Sequence, residues 1–309
     1  MSKILQFFNT YRYFILLHFT VFLWGYTGVL GKLIQASSIE ITLLRTSIAF
    51  ISLMLYLIYT KKLKRIAFKK ILQYLGIGCL IGFHWFAFFE SIHQSNVSVA
   101  LTCLASSSLF VAILNPFVGK ARKFRTHEFL LGLLAIFGIY IVFNFESQYT
   151  LGIILGLVTS FFGALFTILN GNLIDRGDTA VEITVYEMLG AFLCVGFCSF
   201  FFNENMPLSF DLNLEDWVYV LILGTVCTAF AFMLGIYVMK EVSAYTVTIT
   251  VNLEPLYSIL LALWIFKEEE YMSSGFYIGG AIIMLSIFLN AYLNRKQRKK
   301  DKKAHEERR

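Results

Sequence analysis

The residue with the clearest chemical potential is Glu254, a carboxylate inside a long apolar stretch. Thr246, Thr250 and Tyr257 surround it at spacings of three and four, which place them on one helical face. Pro255 follows directly and has no amide to donate, so it predicts a break in the helix. A carboxylate on a polar face beside such a break can bind an ammonium group or carry a proton. The alternative is a hydrogen-bonded polar core with a structural kink.

A second group of candidates lies in other apolar stretches. Ser98, Thr102 and Ser106 repeat every four residues, a stripe that either binds a ligand or packs closely against another helix. His84 is a single histidine within an apolar stretch. Such a residue is more often a structural hydrogen-bond donor than a proton carrier, and both roles stay open for it. The remaining candidates for ligand contact are two tryptophans, this histidine and an amide: Trp24, Trp85, His84 and Asn252.

The composition places these residues in a membrane. Of the 309 residues, 58% are hydrophobic and only 15% are charged, and the mean hydropathy is +0.70. So few charges cannot cover a water-soluble surface. Ten apolar stretches match the length that crosses a hydrocarbon layer of about 30 Å, which predicts an all-α membrane protein with ten transmembrane helices. They cover residues 13–34, 39–59, 71–90, 97–118, 129–145, 151–174, 180–202, 217–239, 243–266 and 273–293.

The basic residues support this count. Lys and Arg accumulate in cytoplasmic segments, and 23 of the 26 here fall in the two terminal segments and in alternate joints. The joint at 60–70 is rich in them, whereas the joints at 90–96 and 203–216 contain none. The alternation predicts a multi-pass protein of the inner cell membrane with both termini in the cytoplasm. The basic tail, 295–309, is interpreted as a cytoplasmic anchor rather than a nucleic-acid site.

The two halves of the chain resemble one another. EITLLRTSIAF at 40–50 recurs as EITVYEMLGAF at 182–192, and GKLI at 31–34 recurs as GNLI at 171–174. Because five is odd, a second unit of five helices enters the membrane from the opposite side. We therefore predict two inverted five-helix repeats, 1–145 and 146–294, around a central cavity. A duplicated scaffold without a pathway is the alternative.

Helical depth brings the candidates to the same level. At about 1.5 Å per residue, Glu254 and Ser106 approach the midplane from opposite sides. Inverted-repeat transporters bind their substrates at this depth.

Ionisable residues nearer the surfaces are candidates for gates. Lys32, Arg45 and Glu90 map to the outer third together with Glu40, so two cations and two carboxylates could close an outside gate by pairing. Snorkelling to the interface is the alternative for Lys32 and Glu40. Glu187, the repeat counterpart of Arg45, maps to the inner third, where an inner gate and a structural hydrogen bond are both open.

The chain resembles the drug/metabolite transporter superfamily, specifically the EamA-type permeases with two five-helix repeats. The resemblance covers nearly the whole length. It rests on FLWG at 22–25 ending in Lys32, Arg45 in the second span, GTVCTAFAFMLGIYVMKEVSAYT at 224–246, NLEPLYSILLALWIF at 252–266 and FYIGGAII at 276–283. It implies a ten-helix secondary transporter or exporter of small metabolites with a central substrate cavity. One departure is that the family's proline in the fourth span is replaced here by serines at 106–108.

Together these observations predict an exporter that moves small polar or amphiphilic metabolites by alternating access, with amino-acid-like or cationic solutes favoured. The expected partners are a small-molecule substrate, with or without a coupled proton, and membrane lipid; monomer and homodimer are both open. No nucleotide-binding loop, hydrolase elbow or HExxH occurs in the sequence, so no cofactor, metal ion or catalytic residue is predicted. The alternatives are a membrane enzyme acting on lipid or sugar-lipid through His84 and Glu90, and a non-transporting scaffold.

Overall fold

The computed structural model describes residues 3–119, 126–202, 208–242, 247, 250–251, 253–267 and 271–306, and this part of the chain is helical without strands. The first half contains α1 (Lys3–Leu33), α2 (Ser38–Tyr59), α3 (Phe68–His93), α4 in two segments (Val97–Leu104 and Ser107–Val118) and α5 (Thr126–Phe145). The second half contains α6 (Thr150–Asp175), α7 (Ala180–Phe202), α8 in three segments (Leu214–Ile222, Leu223–Phe230 and Ala231–Val238), α9 (Glu254–Phe266) and α10 (Ser274–Glu306).

Most of these helices have the dimensions of membrane spans. Seven, namely α1 to α4 and α6 to α8, are long and apolar enough to cross a membrane. Three shorter apolar helices, Leu130–Phe145, Glu254–Phe266 and Ser274–Asn290, lie where the sequence predicts the fifth, ninth and tenth spans. The predicted all-helical membrane fold is confirmed, and the count of ten spans stays a prediction.

The helices pack with an approximate twofold relation between the halves. α3 packs along α7, and in the same way α8 packs along α2. The contact between α3 and α6 corresponds to the contact between α8 and α1, and the contact between α4 and α6 corresponds to that between α9 and α1. If α1 to α5 are matched in order with α6 to α10, each of these contacts therefore corresponds to another contact that is observed. The two halves interlock rather than lying side by side.

Close approach of α3 and α7 depends on the absence of side chains. A Cβ atom on Gly78 would lie 2.2 Å from the backbone oxygen of Glu187, and a Cβ atom on Gly190 would lie 2.3 Å from the backbone oxygen of Leu75. Real Cβ contacts do not reach such distances, so only glycine fits at these two positions. Small residues that let backbones meet are a common solution for helices within lipid.

Three irregularities in the helices lie near the centre of the molecule. α4 is interrupted between Leu104 and Ser107, and the segment Leu223–Phe230 of α8 is π-helical. α9 begins at Glu254 with Pro255 in its first turn, after a turn residue at Leu253. The structure thus starts a new helix where the sequence predicts a break. Irregular backbone within a membrane is tolerated where it is buried in protein or lines a cavity.

Candidate functional site

A cavity lies at the centre of the bundle, between α1, α2, α3, α4, α6 and α8 and the beginning of α9. Its volume is about 90 Å³, well above the roughly 10–15 Å³ that admits one water molecule. Both halves of the chain contribute to its walls. This is the arrangement that inverted repeats use to place a binding site at their interface.

Aromatic rings form much of the cavity wall. The ring of Phe232 is the hub: its centroid lies 5.6 Å from Trp85, 5.7 Å from Phe166 and 6.3 Å from Trp24. His84 packs edge-on against Phe166 at 5.2 Å. These side chains come from α1, α3, α6 and α8, so the packing of both repeats holds them in place. The result is a rigid apolar surface against which a non-polar part of a ligand can pack.

Glu254 faces this cavity from the first turn of α9. Only 7% of the residue is exposed, and no described residue donates a hydrogen bond to its carboxylate. Ser258, one turn later, donates to the backbone carbonyl of Gly25 and ties α9 to α1. The unpaired amides at a helix N-terminus favour a negative charge there. The start of α9 therefore places a buried carboxylate at the cavity, with capacity to accept hydrogen bonds.

Arg45 lines the same cavity from α2, and only 1% of it is exposed. Its Nε and Nη2 atoms donate to Oγ1 of Thr228 over 3.1 and 2.8 Å. The centre of the guanidinium group lies 3.9 Å from the centroid of Trp85. Nη1 is buried and has no hydrogen-bond partner among the described residues. The guanidinium is therefore held firmly on one edge and unsatisfied on another.

The π-helical segment of α8 helps to present Thr228. The Thr228 hydroxyl donates to the carbonyl of Leu223, five residues earlier, over 2.6 Å. The same oxygen accepts the two hydrogen bonds from Arg45, so its donor and both lone pairs are in use. π-bulges of this kind occur often at functional sites because they turn a side chain out of the regular helical register.

Arg45 and Glu254 interact electrostatically without forming an ion pair within the described chain. Each is anchored by its own helix, Arg45 through Thr228 and Glu254 through the start of α9. The cavity consequently contains one fixed cation and one fixed carboxylate, with neither neutralised by direct contact. Such an arrangement is complementary to a ligand that carries charges of both signs.

His84 has a defined hydrogen-bonding state. Its Nδ1 lies 2.9 Å from the carbonyl oxygen of Thr159, and a carbonyl only accepts, so Nδ1 carries the proton and Nε2 is left as an acceptor. The hydroxyl of Thr159 donates in return to the backbone oxygen of His84 over 2.8 Å. These two hydrogen bonds join α3 to α6 and fix the ring in the cavity wall. His84 therefore has the structural role that the sequence allowed, because it connects two helices.

Several predicted contact residues meet in the cavity and others do not. Trp24, His84, Trp85 and Glu254 line it. Ser106 instead lines a separate small cavity between α4, α5 and α10, and Thr102 packs near Gly280. The reason is the break in α4, after which Ser107 is the serine that reaches the central cavity.

Among the described residues of the polar face predicted around Glu254, only Glu254 itself lines the cavity. Tyr257 packs edge-on against Phe22 at 5.9 Å, and the half-buried Thr250 is not among the cavity-lining residues. Asn252 lies outside the described residues.

The residues expected to form an outer gate lie in different surroundings. Arg45 lies in the cavity wall, and neither Glu40 nor Glu90 pairs with a cation among the described residues. Glu90 accepts hydrogen bonds of 2.7 Å from the hydroxyl of Ser38 and from the amide of Gln94. The Nζ atom of Lys32 lies 4.3 Å from the ring centroid of Phe266. Among the described residues Glu90 therefore contacts neutral groups, and the outer gate stays a prediction.

Glu40 ties two loops together on this side of the protein. It forms a capping box with Ser37 at the start of α2, and its Oε1 accepts from the backbone amides of Ser209 and Phe210 over 2.7 Å each. Asp216, at the start of α8, accepts from the backbone amide of Gln35 over 3.0 Å. The joint between α1 and α2 is therefore fastened to the joint between α7 and α8.

Glu187 is fully buried outside the cavity lining. The amide of Asn170, which does line the cavity, donates to its Oε2 over 3.4 Å. Oε1 of Glu187 and Oδ1 of Asn170 have no partner in the described chain. The structural hydrogen bond anticipated for Glu187 is present, although it is long.

Sequence reasoning missed several residues of the site. They are Thr27, Ser107, Phe166, Asn170, Thr228 and Phe232. An amide within an apolar helix could have identified Asn170, because such groups seek partners. Nothing distinguishes Phe166 and Phe232 among the 32 phenylalanines of the chain.

The described residues form an all-helical membrane fold with a partly charged cavity between two interlocked halves. Residues 12–144 and 150–292 each match the EamA-like transporter family. The chain belongs to this family, and the protein is a multi-pass membrane transporter.

Two relatives from Archaeoglobus fulgidus, each described as an uncharacterized transporter, are similar to the chain. One is 25% identical over 205 residues, which are 66% of this chain and 70% of the relative. The other is 24% identical over 221 residues, 69% of this chain and 72% of the relative. A protein known from a crystal structure matches with a TM-score of 0.66 at 16% identity, covering 91% of this chain and 98% of that one. That likeness supports the fold.

Proposed function

We propose that the protein is a secondary transporter that exports small polar or amphiphilic metabolites, amino-acid-like or cationic, by alternating access. The observation that carries this proposal is the position of Glu254, a buried carboxylate without a described donor, in a cavity between the repeats. An ammonium group is the natural partner of such a carboxylate. Aromatic walls beside it suit the apolar part of an amphiphilic solute.

The shape of the cavity supports alternating access. From the centre, its lining continues along α8 to Met239 and includes Val247 and Val251, which precede α9. On the opposite side, Glu40 and Asp216 fasten the loops as described above. The cavity thus extends towards one side of the molecule and is closed by hydrogen bonds on the other.

A second contact of this kind, which we call a tie, lies at the corresponding place in the other repeat. Lys70, at the start of α3, forms an ion pair with Asp178 in the joint between α6 and α7. Asp216 and Gln35 make the equivalent connection between the start of α8 and the joint between α1 and α2. Both contacts are formed in this structure, and we propose that full opening of the cavity to one face breaks the contact on that face. In the proposed orientation both termini are cytoplasmic, the tie at Lys70 is on the inner face, and the repeats are 1–145 and 146–294.

The contacts of Glu90 argue against a lipid-modifying enzyme acting through His84 and Glu90. Ser38 and Gln94 occupy the two oxygens of Glu90, which is not part of the cavity lining. His84 uses Nδ1 to hold α6. The two residues therefore do not form a joint acid–base pair within the cavity, whereas Glu254 and Arg45 do share it.

The test is export from reconstituted liposomes. Vesicles containing the purified protein are loaded with a metabolite extract, and mass spectrometry quantifies what leaves them relative to protein-free vesicles. We expect Glu254→Gln to lower the export of the transported solutes at least tenfold. The matched control is Glu215→Gln, the same chemical change at an exposed position, which should export like the wild type. Equal export by Glu254→Gln and the wild type for every solute would contradict the proposal.

A further inference from the structure

We infer that Arg45 is the anion-binding group of the cavity, so that the transported solute is a zwitterion with a carboxylate for Arg45 and an ammonium group for Glu254. This inference rests on the proposed function and narrows its substrate class. It assigns to Arg45 a part in ligand recognition instead of the gate that the sequence suggested.

The first step is that Arg45 has no ion-pair partner among the residues that the structure describes. A buried charge is costly unless it is paired and fully hydrogen-bonded. The guanidinium is 1% exposed, yet its nearest polar contact is the neutral hydroxyl of Thr228 and its stacking partner is the ring of Trp85. Nη1 remains unsatisfied. A ligand oxygen that reaches Nη1 would satisfy it, and a carboxylate is the group that best matches a guanidinium fork.

The second step is that the protein keeps Glu254 from serving as this partner. No ion pair joins the two residues in the described chain, although each affects the electrostatic environment of the other. Thr228 fastens Arg45 to α8, while Ser258 fastens the start of α9 to α1. Because both residues line the same cavity, a small molecule with both charges can contact each of them through a charge-assisted hydrogen bond.

The third step concerns molecules with one charge. An amine without a carboxylate would bind Glu254 but leave Arg45 unpaired beside a second positive charge. A carboxylate without an amine would bind Arg45 but add a negative charge near Glu254. Like charges repel more strongly in a poorly hydrated cavity than in water. Discrimination against both kinds of analogue therefore follows from the same pair of residues.

The cavity also limits the rest of the molecule. Its volume of about 90 Å³ and its aromatic wall around Phe232 fit a small solute with an apolar side chain. An α-amino acid has this combination of features: adjacent ammonium and carboxylate groups on one side and a side chain on the other.

The experiment compares three classes of solute that share a side chain and differ in which charged groups they carry. Liposomes containing the full-length protein are loaded with equal concentrations of the common L-amino acids, the amines formed by their decarboxylation and the carboxylic acids formed by their deamination. Mass spectrometry measures export of each, with leakage from protein-free liposomes subtracted. We expect the wild type to export at least one amino acid ten times faster than its matching amine and its matching acid.

The decisive variant is Arg45→Met, which keeps length and apolar bulk but removes the charge. It should lower the ratio of amino-acid export to amine export at least tenfold while amine export continues. Lys62→Met removes an exposed cation that does not line the cavity and should leave the ratio unchanged. Arg45→Lys keeps the charge without the planar fork and should give an intermediate ratio.

The outcomes separate this inference from the proposed function. If the wild type exports amines as fast as amino acids, or if Arg45→Met keeps the wild-type preference, Arg45 is not the carboxylate site, whereas transport through Glu254 stands. If the wild type exports none of the three classes above leakage, both ideas fail. Should Arg45→Met not fold, thermal unfolding of the wild type with each class decides, because only the bound class raises the midpoint. Stabilisation by amines equal to that by amino acids would then overturn the inference.

Discussion

Replacing Thr228 by valine tests how Arg45 is held. Valine has nearly the same shape as threonine but lacks the hydroxyl that accepts two hydrogen bonds from the guanidinium, at 3.1 and 2.8 Å. A hydrogen bond to a charged group contributes about 1.5–3 kcal/mol, and leaving a buried donor unpaired costs at least as much as losing one bond. Since two bonds end on one oxygen and partly share its lone pairs, we expect Thr228→Val to lower the free energy of unfolding by about 3 kcal/mol.

The assay is reversible unfolding in mixed micelles, titrated with a denaturing detergent. Thr228→Ser keeps the hydroxyl and should stay within about 1 kcal/mol of the wild type. In the Arg45→Met background the effect of Thr228→Val should fall to less than about 1 kcal/mol, because the donors are gone. If Thr228→Val is as stable as Thr228→Ser in the presence of Arg45, the reasoning is refuted, and the guanidinium is satisfied by other groups.

Three further predictions concern stability and closure. Glu187→Gln should leave the free energy of unfolding within about 1 kcal/mol of the wild type or raise it, because the new amide can donate to the unpaired Oδ1 of Asn170. A loss above about 2 kcal/mol in the same denaturing-detergent titration would contradict this and indicate that the charge of Glu187 is essential. Gly78→Ala should prevent folding or cost about 3 kcal/mol or more, because its Cβ would lie 2.2 Å from a backbone oxygen. Gly76→Ala, whose Cβ meets nothing within 4 Å, should be neutral or stabilising by up to about 1 kcal/mol. Glu40→Ala should weaken the hold on the joint between α7 and α8 and speed proteolysis of that joint from outside intact vesicles, and an unchanged rate would exclude this role.

Much of the fold follows from the sequence because lipid imposes a simple rule. Apolar length and the alternation of basic joints identify the helices, since every backbone group within the membrane must be paired. The repeat is visible because the segments 40–50 and 182–192 are similar, which puts Arg45 and Glu187 at corresponding places. The location of Glu254 in a cavity could be anticipated from the expense of a carboxylate in lipid and from the proline beside it.

The direction in which side chains point is harder to predict. Successive residues of a helix are rotated by about 100°, so a single irregularity moves the polar face. The break in α4 brings Ser107 to the cavity in place of Ser106. Arg45 maps by depth to the outer third, but its contact with Thr228 depends on a π-helical segment that the sequence does not reveal. Phe232 belongs to the site through packing alone.

The most direct test of the account is whether water reaches position 254 from both sides of the membrane. In a variant without the native cysteines (Cys79, Cys103, Cys194, Cys198 and Cys227), Glu254→Cys is exposed to a membrane-impermeant thiol reagent applied to either face of sealed vesicles. Leu256→Cys, at a position that is 48% exposed on the outside of the bundle, is the lipid-facing control. The account predicts labelling of position 254 from both faces. Labelling no faster than at position 256 from both faces would contradict it.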